Sequence, residues 1–358
     1  MKYSLCEDFL NSKKIVYPLA NFLLPYLQGK NNFAPWAVEI HPTAKCNHRC
    51  IHCSYKERNE SRAELPQEIF DKLIDSLIKL KVHGVYFSGG GEPCTYNGLG
   101  NAVKKLKENG VEVALVTNAT LFEKVGMLDF VQYLNYIAVS VPSCNAEMYK
   151  KITGVNLLEK VLNLPSKIKS KLGENSPIVG ARVVVTNLIA EEVPSILQTL
   201  QEKNYDYALF KIVRDYEDRG LGISEEMAEK LQKEIDLLKT SGKIDSKFTN
   251  LEKIFAYRKP YKVEGYCHVN NLGLLAVVTP EGDIYPNIAE IGNDKFKVGN
   301  LNQNPFEKIW NSAAHDEVKK ISNSQWLEGL CKNCRAISYN VQINNLLVNC
   351  PKAEDPFV

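Results

Sequence analysis

The chain has 358 residues, 44% of them hydrophobic, and a formal net charge of +2. This size allows one large domain, or a large one with a small one, around a substantial core. Lys+Arg 44 nearly balance Asp+Glu 42, so no basic surplus indicates nucleic acid and no acidic docking tail is visible.

The ten cysteines are expected to be reduced thiols. A chain of this length needs no disulfide staples, and no signal peptide is recognisable. The apolar run Ile15–Leu27 is too short to span a bilayer and contains Pro18 and Pro25. We therefore expect a cytoplasmic protein without membrane contact, whose N-terminal segment is helical and packs on the main domain.

Short runs rich in Val and Ile alternate with helical patterns from residue 36 to about residue 213. Buried parallel strands have this composition. The predicted strands are Ala37–His41, Gly84–Ser88, Val111–Thr117, Tyr136–Val141, Ile178–Thr186 and Ala208–Val213. The helical patterns between them include Gln67–Leu80, Leu99–Asn109 and Val193–Lys203. Six such repeats predict an α/β fold with a parallel sheet, either doubly wound or rolled into a partial (β/α)6 barrel.

The repeat stops after residue 215, and a different pattern follows. A charged helix is predicted over Ser224–Thr240, and a hairpin over Leu274–Thr279 and Asp283–Tyr285 with turn residues between them. A further helix is predicted over Pro305–Ile321. We expect an N-terminal helical segment (1–35), a partial barrel (36–216), a helical linker (217–260) and a small α+β domain (261–358).

Three cysteines, Cys46, Cys50 and Cys53, form a CxxxCxxC motif directly after the first predicted strand. Three thiolates can hold three irons of a cubane cluster and leave the fourth iron open to a small molecule. A structural zinc site with His48 or His52 as the fourth ligand is the alternative.

Glycine and polar residues follow the other predicted strands. Ligands of parallel α/β sheets bind outside the carboxyl ends of the strands, so these residues are expected to surround one site. They are Gly89, Gly90, Gly91, Glu92, Asn118, Ser140, Cys144, Asn187, Arg214 and Asp215. The glycine run could instead be a dinucleotide loop, but Cys94 stands where that motif needs glycine.

The cysteine motif and the Gly-Gly-Gly-Glu-Pro run after the second strand together resemble the radical S-adenosylmethionine (SAM) superfamily over roughly residues 36–215. The resemblance implies a [4Fe-4S] cluster on the three cysteines, with SAM bound to its open iron. It implies that reductive cleavage of SAM gives a 5′-deoxyadenosyl radical, which removes a hydrogen atom from the substrate. An electron donor such as flavodoxin or ferredoxin would then be required.

The resemblance also implies which residues contact SAM. The ammonium group would be bound by Gly89, Gly90, Gly91 and Glu92. The ribose hydroxyls and the carboxylate would be bound by Asn118, Ser140 and Asn187. His52 takes a place near adenine where this family usually has an aromatic residue. The three strand-end residues could equally be ordinary turn or capping residues.

Four further cysteines, Cys267, Cys331, Cys334 and Cys350, lie in the C-terminal part. This part resembles the SPASM domain and its short form, twitch. The full SPASM pattern has seven cysteines for two auxiliary clusters, but Asn287, Asn340 and Asn344 stand at three of those positions here. The four thiols suit one auxiliary [4Fe-4S] cluster, and a zinc knot held by the same four cysteines is the alternative.

Several rim residues are candidates for catalysis. Cys144 could return a hydrogen atom to a substrate radical. The residues that could anchor or deprotonate a substrate, or instead be solvated or salt-bridged, are Arg182, Lys211, Arg214, Asp215 and His268. The first reaction that fits is oxidation of a polar small molecule, such as a sugar, aminocyclitol or nucleoside. Redox-neutral epimerisation with Cys144 and modification of a peptide or protein are the other two. A zinc-stapled binding protein is the non-enzyme alternative.

Overall fold

The computed structural model describes residues 34–55, 58–124, 126–213, 219–245, 248, 267–328, 331, 337 and 340. Nearly all of the predicted N-terminal helical segment lies outside the described residues. So do most of the C-terminal half of the predicted linker and four candidate site residues. These residues are Arg214, Asp215, Cys334 and Cys350.

Six parallel strands form the first part of the sheet, in the order β6-β5-β4-β3-β2-β1. They are β1 (Ala37–Ile40), β2 (Gly84–Phe87), β3 (Glu112–Thr117), β4 (Tyr136–Ser140), β5 (Ile178–Val185) and β6 (Tyr207–Ile212). All six predicted strands are confirmed to within one residue at each end. Short runs rich in Val and Ile between helices are typical of buried parallel strands, so the composition of the sequence was enough to predict these strands.

Helices connect the strands and follow the last of them. In the described chain they are α1 (Gln67–Lys79), α2 (Leu99–Glu108), α3 (Met127–Phe130), α4 (Ala146–Thr153), α5 (Leu158–Leu162), α6 (Leu164–Leu172), α7 (Val193–Glu202) and α8 (Glu225–Thr240). The helices predicted to begin at Gln67, Leu99 and Val193 are confirmed. The helix predicted over Ser224–Thr240 is confirmed as well. The Ser224 hydroxyl accepts a hydrogen bond from Met227 N at 3.1 Å and caps the N-terminus of this helix.

The strands bury one face against the helices and turn the other toward the inside of the partial barrel. In the β1–β2 pair, Val38 lies opposite Val85 and Glu39 lies opposite Tyr86. Val38 and Val85 belong to the main core, where full burial of such a side chain contributes about 1.5–3 kcal/mol. Glu39 and Tyr86 lie on the inner face, where the Tyr86 hydroxyl donates to the Glu39 carboxylate at 2.5 Å.

The C-terminal hairpin extends the sheet of the barrel. After α9 (His268–Asn271), β7 (Leu275–Val278) pairs in parallel with β1, and β8 (Asp283–Tyr285) and β9 (Gly299–Asn300) follow antiparallel. The sheet therefore has nine strands, and the small C-terminal domain is joined to the barrel by backbone hydrogen bonds. Both predicted hairpin strands are confirmed.

The single helix predicted over Pro305–Ile321 is wrong. The chain forms two helices there, α10 (Phe306–Trp310) and α11 (Ala313–Leu327). The Ser312 hydroxyl accepts a hydrogen bond from His315 N and starts the second helix. Because serine competes with the helical backbone for hydrogen bonds, it favours a new N-terminus over a continuous helix at this point.

Candidate active site

The cysteine loop follows β1 and rests on the C-terminal end of α4. Arg49 N donates to Thr153 O and Ile51 N donates to Ile152 O, both at 2.9 Å. These carbonyls belong to the last turn of α4, where C=O groups have no N–H partner within the helix. The helix that follows β4 thus supports the loop that follows β1.

The loop after β2 supports the cysteine loop from another side. Gly91 N donates to Thr43 O at 3.0 Å, and Glu92 N donates to Lys45 O at 2.8 Å. A Cβ atom at Gly91 would lie 2.1 Å from Lys45 O. Only glycine allows this approach, so the glycine run serves the packing of the two loops as well as any ligand.

The Glu92 carboxylate is buried and joins the loop after β2 to the end of β3. Its Oε1 accepts hydrogen bonds from Thr117 Oγ1 at 2.6 Å and Cys94 N at 3.1 Å, and its Oε2 accepts one from Asn118 N at 2.7 Å. Burial raises the pKa of Glu92, and these hydrogen bonds oppose the rise. Both oxygens have partners in the protein, and the predicted contact with the SAM ammonium group stays a prediction.

The Asn118 side chain belongs to a network between the loop after β3 and the cysteine loop. Its Nδ2 donates to Asn47 Oδ1 at 2.7 Å, and its Oδ1 accepts from Thr120 N at 3.1 Å. Asn47 Nδ2 donates in turn to Thr120 Oγ1 at 2.8 Å. Sequence reasoning missed Asn47 and Thr120, although Asn47 lies inside the cysteine motif.

The three thiols of the cysteine loop are half-buried and close enough to influence one another. Burial and then the neighbouring Cys53 and Cys46 thiols raise the pKa of Cys50 to about 12. Burial, partly offset by a hydrogen bond from His48 N, raises the pKa of Cys46 to about 11. Three adjacent thiolates need a strong local cation, and metal ions deprotonate coordinating thiols. The donor set therefore fits a metal cluster.

The two histidines of the cysteine motif have other surroundings. The His48 ring lies 3.4 Å from Thr120 Oγ1, and His52 lines a cavity. A cubane cluster needs only three cysteine ligands and leaves its fourth iron open, so it makes no demand on these rings.

A cavity of about 220 Å³ opens at the carboxyl ends of the strands beside the cysteine loop. Its polar lining residues are His52, Tyr55, Ser88, Ser140, Arg182 and Lys211. None of the described residues that line it is acidic. The cavity is therefore suited to a ligand with negatively charged groups.

The strand register explains how these side chains meet. Ser140 on β4 lies opposite Arg182 on β5, and Val184 lies opposite Lys211 on β6. Paired residues of parallel strands point to the same face, so all four turn into the cavity. The predictions for His52, Ser140 and Arg182 placed them at this rim. Sequence reasoning did not single out Ser88, although it ends the strand before the glycine run.

The C-terminal domain also contributes to the cavity, through Ile288. Ile288 begins a 3-10 turn after β8, and Asn287 Oδ1 caps that turn by accepting from Ala289 N at 2.9 Å. Asn287 is the residue found where the SPASM pattern has a cysteine. In this chain an amide side chain holds the turn that brings Ile288 to the active site.

Asn187 and Cys144 do not line the cavity, and neither do the predicted SAM contacts Gly89, Gly90, Gly91, Glu92 and Asn118. Asn187 is exposed, and its Nδ2 donates to Gly220 O at 2.7 Å while its N donates to Leu221 O at 3.1 Å. Cys144 is half-buried, and burial followed by the Glu192 carboxylate raises the pKa of its thiol to about 12. Neither is among the described residues that line the cavity.

The predicted auxiliary site is described in part. Cys267 and Cys331 pack in one cluster with Trp326 and Ile337. Asn340 Nδ2 donates to Cys267 Sγ at 3.4 Å, and burial raises the pKa of that thiol. Cys334 and Cys350 lie outside the described residues, so their part in the ligand set stays a prediction.

Comparison with known families identifies the class of protein. The family model described as the radical SAM superfamily matches residues 40–200, and the one described as the SPASM iron–sulfur cluster-binding domain matches residues 267–335. The chain therefore belongs to the radical SAM superfamily and carries a C-terminal SPASM domain. These domains imply a SAM-binding [4Fe-4S] cluster and an auxiliary iron–sulfur cluster.

Curated relatives match part of the chain. A probable GTP 3′,8-cyclase of Thermococcus kodakarensis is 30% identical over 126 residues, which is 35% of this chain and 41% of that protein. A tungsten-containing aldehyde ferredoxin oxidoreductase cofactor-modifying protein of Pyrococcus furiosus is 25% identical over 173 residues, 47% and 48% of the two proteins. The chain thus spans less than half the length of these relatives.

Solved structures share the fold over most of the chain. SuiB of Streptococcus suis bound to the precursor peptide SuiA has a TM-score of 0.67 at 15% identity, over 89% of this chain and 76% of that chain. The enzyme anSMEcpe with bound AdoMet has a TM-score of 0.62 at 16% identity, over 88% and 97%. These likenesses confirm the predicted partial barrel with a small C-terminal domain.

No helix in the described part of the chain is long and apolar enough to cross a membrane.

Proposed function

We propose that this radical SAM enzyme oxidises a polar small molecule that carries an anionic group, such as a phosphorylated or carboxylated sugar, aminocyclitol or nucleoside. The observation that supports this proposal is the charge of the cavity. Arg182 and Lys211 line it, and no acidic side chain is among its described lining residues. Both side chains can donate charge-assisted hydrogen bonds to carboxylate or phosphate groups.

When bound, the cluster and SAM would supply a 5′-deoxyadenosyl radical that abstracts hydrogen. The chain holds and encloses these groups. The thiols of Cys46, Cys50 and Cys53 would ligate the cluster, and Ser88, Ser140 and His52 would orient ligands by hydrogen bonds. Val116, Val184 and Ile288 make part of the wall apolar, which excludes water from a reactive intermediate. A low-potential donor such as flavodoxin or ferredoxin would supply the electron.

The position of Cys144 favours oxidation over epimerisation. Epimerisation needs a hydrogen donor in the cavity, whereas the Cys144 thiol is half-buried and is not among the described lining residues. Oxidation needs a one-electron acceptor, and an auxiliary iron–sulfur cluster is such an acceptor. The proton that leaves the substrate must pass to a base, and the described cavity lining offers His52 as a candidate.

The test is deuterium transfer into 5′-deoxyadenosine from candidate substrates labelled at their carbinol carbons. Nucleotides come first because the curated relatives include probable GTP 3′,8-cyclases. We expect transfer from an anionic small molecule, one SAM consumed per product and a product two hydrogens poorer. Transfer only from peptides, or a product of unchanged mass, would refute the proposal.

Charge variants make the test specific to the cavity. Arg182→Gln and Lys211→Gln should each raise the KM for SAM or for the substrate at least about tenfold, because each removes a charge-assisted hydrogen bond. Lys233→Gln removes a charge from the exposed face of α8 and serves as the control. Unchanged KM values in both cavity variants would exclude the cation-lined cavity as the binding site.

A further inference from the structure

Arg219 binds the cysteine loop at two points. Its Nη1 atom donates to Ile51 O and to Cys53 O, both at 3.0 Å. These carbonyls lie on either side of His52, whose ring lines the cavity. A single guanidinium thus binds the carbonyl groups of the residues before and after a cavity residue, and one of these residues is a cysteine of the motif.

The segment that carries Arg219 is held at its other end by the rim of the barrel. Asn187, after β5, donates through Nδ2 to Gly220 O at 2.7 Å and through its backbone N to Leu221 O at 3.1 Å. Residues 219–221 therefore connect the end of β5 to the loop after β1. These two strands are separated by three others in the sheet, so this short segment bridges two loops that the strand order keeps apart.

We propose that Arg219 is a positioning residue for the SAM-binding cluster, an inference that rests on the cluster assignment of the proposed function. Its two hydrogen bonds hold residues 51–53, so that His52 keeps its direction toward the cavity. Its positive charge beside Cys53 favours the added electron when the cluster is reduced. Local charge and hydrogen bonds around the cysteine ligands are among the factors that set the potential of such clusters.

Arg219 has no place in the cysteine motif, the glycine run or the strand ends. It lies in the connection between β6 and α8, whose neighbouring residues 214–218 lie outside the described structure. Its partners are backbone carbonyls, which carry no signature in the sequence. Only the three-dimensional structure connects it to the cluster loop.

The first test is potentiometric titration of the SAM-binding cluster by electron paramagnetic resonance, with Arg219→Met against the wild type. Loss of the charge should lower the midpoint potential. We expect about a tenfold fall in the ratio of reduced to oxidised cluster at a fixed donor potential, which corresponds to about 59 mV for one electron. Arg62→Met is the matched control, because Arg62 is exposed on a surface loop.

The second test separates geometry from charge, by amide hydrogen exchange at Ile51 and Cys53 in the metal-free chain. Arg219→Met should speed exchange at both amides at least about threefold, since opening of the loop becomes easier. Arg219→Lys keeps the charge but not the planar fork, so it should retain most of the potential while still speeding exchange. Arg62→Met should change neither quantity.

The outcomes distinguish this inference from the proposed function. If Arg219→Met folds and binds full iron but keeps the wild-type potential and wild-type exchange, the positioning role is refuted. If the wild type binds zinc or forms no 5′-deoxyadenosine, the proposed function fails. In that case the exchange measurement on the metal-free chain still decides whether Arg219 holds the loop.

Discussion

Gly91 and Glu92 hold loops together at the cysteine motif, each by a different physical means. Gly91 acts through the absence of a side chain, which lets its backbone lie against Lys45 O. Glu92 acts through a buried carboxylate that accepts hydrogen bonds from Asn118 N and two other donors. Both residues organise the protein around the site, in addition to any contact they make with SAM.

Gly91→Ala should therefore weaken cluster binding without touching a cysteine. A Cβ atom 2.1 Å from Lys45 O forces the two loops apart, at a cost of about 1–3 kcal/mol in the free energy of unfolding. Iron content after reconstitution and chemical unfolding measure the two effects. Gly222→Ala is the control, because a Cβ there meets nothing within 4 Å. Equal iron content and stability in both variants would contradict this account.

Asn340 is one of the three asparagines that stand where the full SPASM pattern has cysteines. Its side chain donates to Cys267 Sγ at 3.4 Å and accepts from Val269 N at 2.8 Å. Hydrogen bonds to cysteine sulfur raise the potential of iron–sulfur clusters. Asn340→Ala should therefore lower the midpoint potential of the auxiliary cluster, measured by the same potentiometric titration.

The control for Asn340 is Asn293→Ala, which removes an exposed cap from the turn Asp294–Phe296. An auxiliary cluster with the same potential in Asn340→Ala and in the wild type would show that this hydrogen bond does not act on a ligand. Loss of iron in Asn293→Ala would show that the effect is not specific to the site.

At the scale of elements, the junction of α10 and α11 shows how local chemistry overrides a helical pattern. His315 in the first turn of α11 contacts Trp310 at the end of α10, with His315 Nδ1 2.6 Å from Trp310 O. The His315 Nε2 atom is buried without a hydrogen-bond partner in the described structure. The neutral ring fits this place, whereas a protonated ring would bury an unsatisfied donor.

This junction should make stability depend on pH. Burial lowers the pKa of His315 from 6.5 to about 4, and Lys319 contributes a smaller decrease. The hydrogen bond to Trp310 O opposes this shift. The unfolded chain then binds the proton more tightly, so stability is lost as the pH falls from 6.5 to about 4. Asp316 opposes the shift. The loss approaches about 3 kcal/mol at full effect.

Urea unfolding at about pH 7.5 and about pH 5, on either side of the ordinary pKa of histidine, measures this dependence. His315→Gln cannot titrate, so the variant should lose less stability than the wild type over this interval, although it is less stable at the higher pH. Parallel pH curves for the two proteins would contradict a buried neutral His315.

The elements that the sequence predicted well are those whose signal is local. The strand Tyr136–Val141 and the helix beginning at Gln67 each carry their own periodicity and composition. The pairing of β7 with β1 joins segments from opposite ends of the described chain, and no local pattern encodes it. The break at Ser312 was missed because the apolar spacing of the two helices continues across it.

The same difference between local and non-local signals holds for the candidate active site. The cysteine motif could be found from its spacing, Ser140 from the end of its strand, and Arg182 as a charged residue within a buried strand. Arg219 and Asn47 could not, because they act on neighbouring loops in space. Asn187 was assigned to SAM from its position after a strand, but its amide binds Gly220 O. Strand ends therefore predict where a site lies better than they predict which group each side chain binds.

At the scale of the whole molecule, the two cysteine-bearing parts share one nine-stranded sheet. β1 leads into the SAM-binding cysteine loop on one side and pairs with β7 of the C-terminal domain on the other. The turn after β8 returns Ile288 to the cavity. The C-terminal domain therefore contributes a residue to the wall of the cavity.

The most direct test measures iron and 5′-deoxyadenosine on the same anaerobically reconstituted samples of the wild type and Cys50→Ala. The account predicts about eight irons in the wild type, as two cubanes require, and about four in the variant. It also predicts reductive SAM cleavage by the wild type alone. Zinc in place of iron, or equal 5′-deoxyadenosine from both proteins, would contradict it.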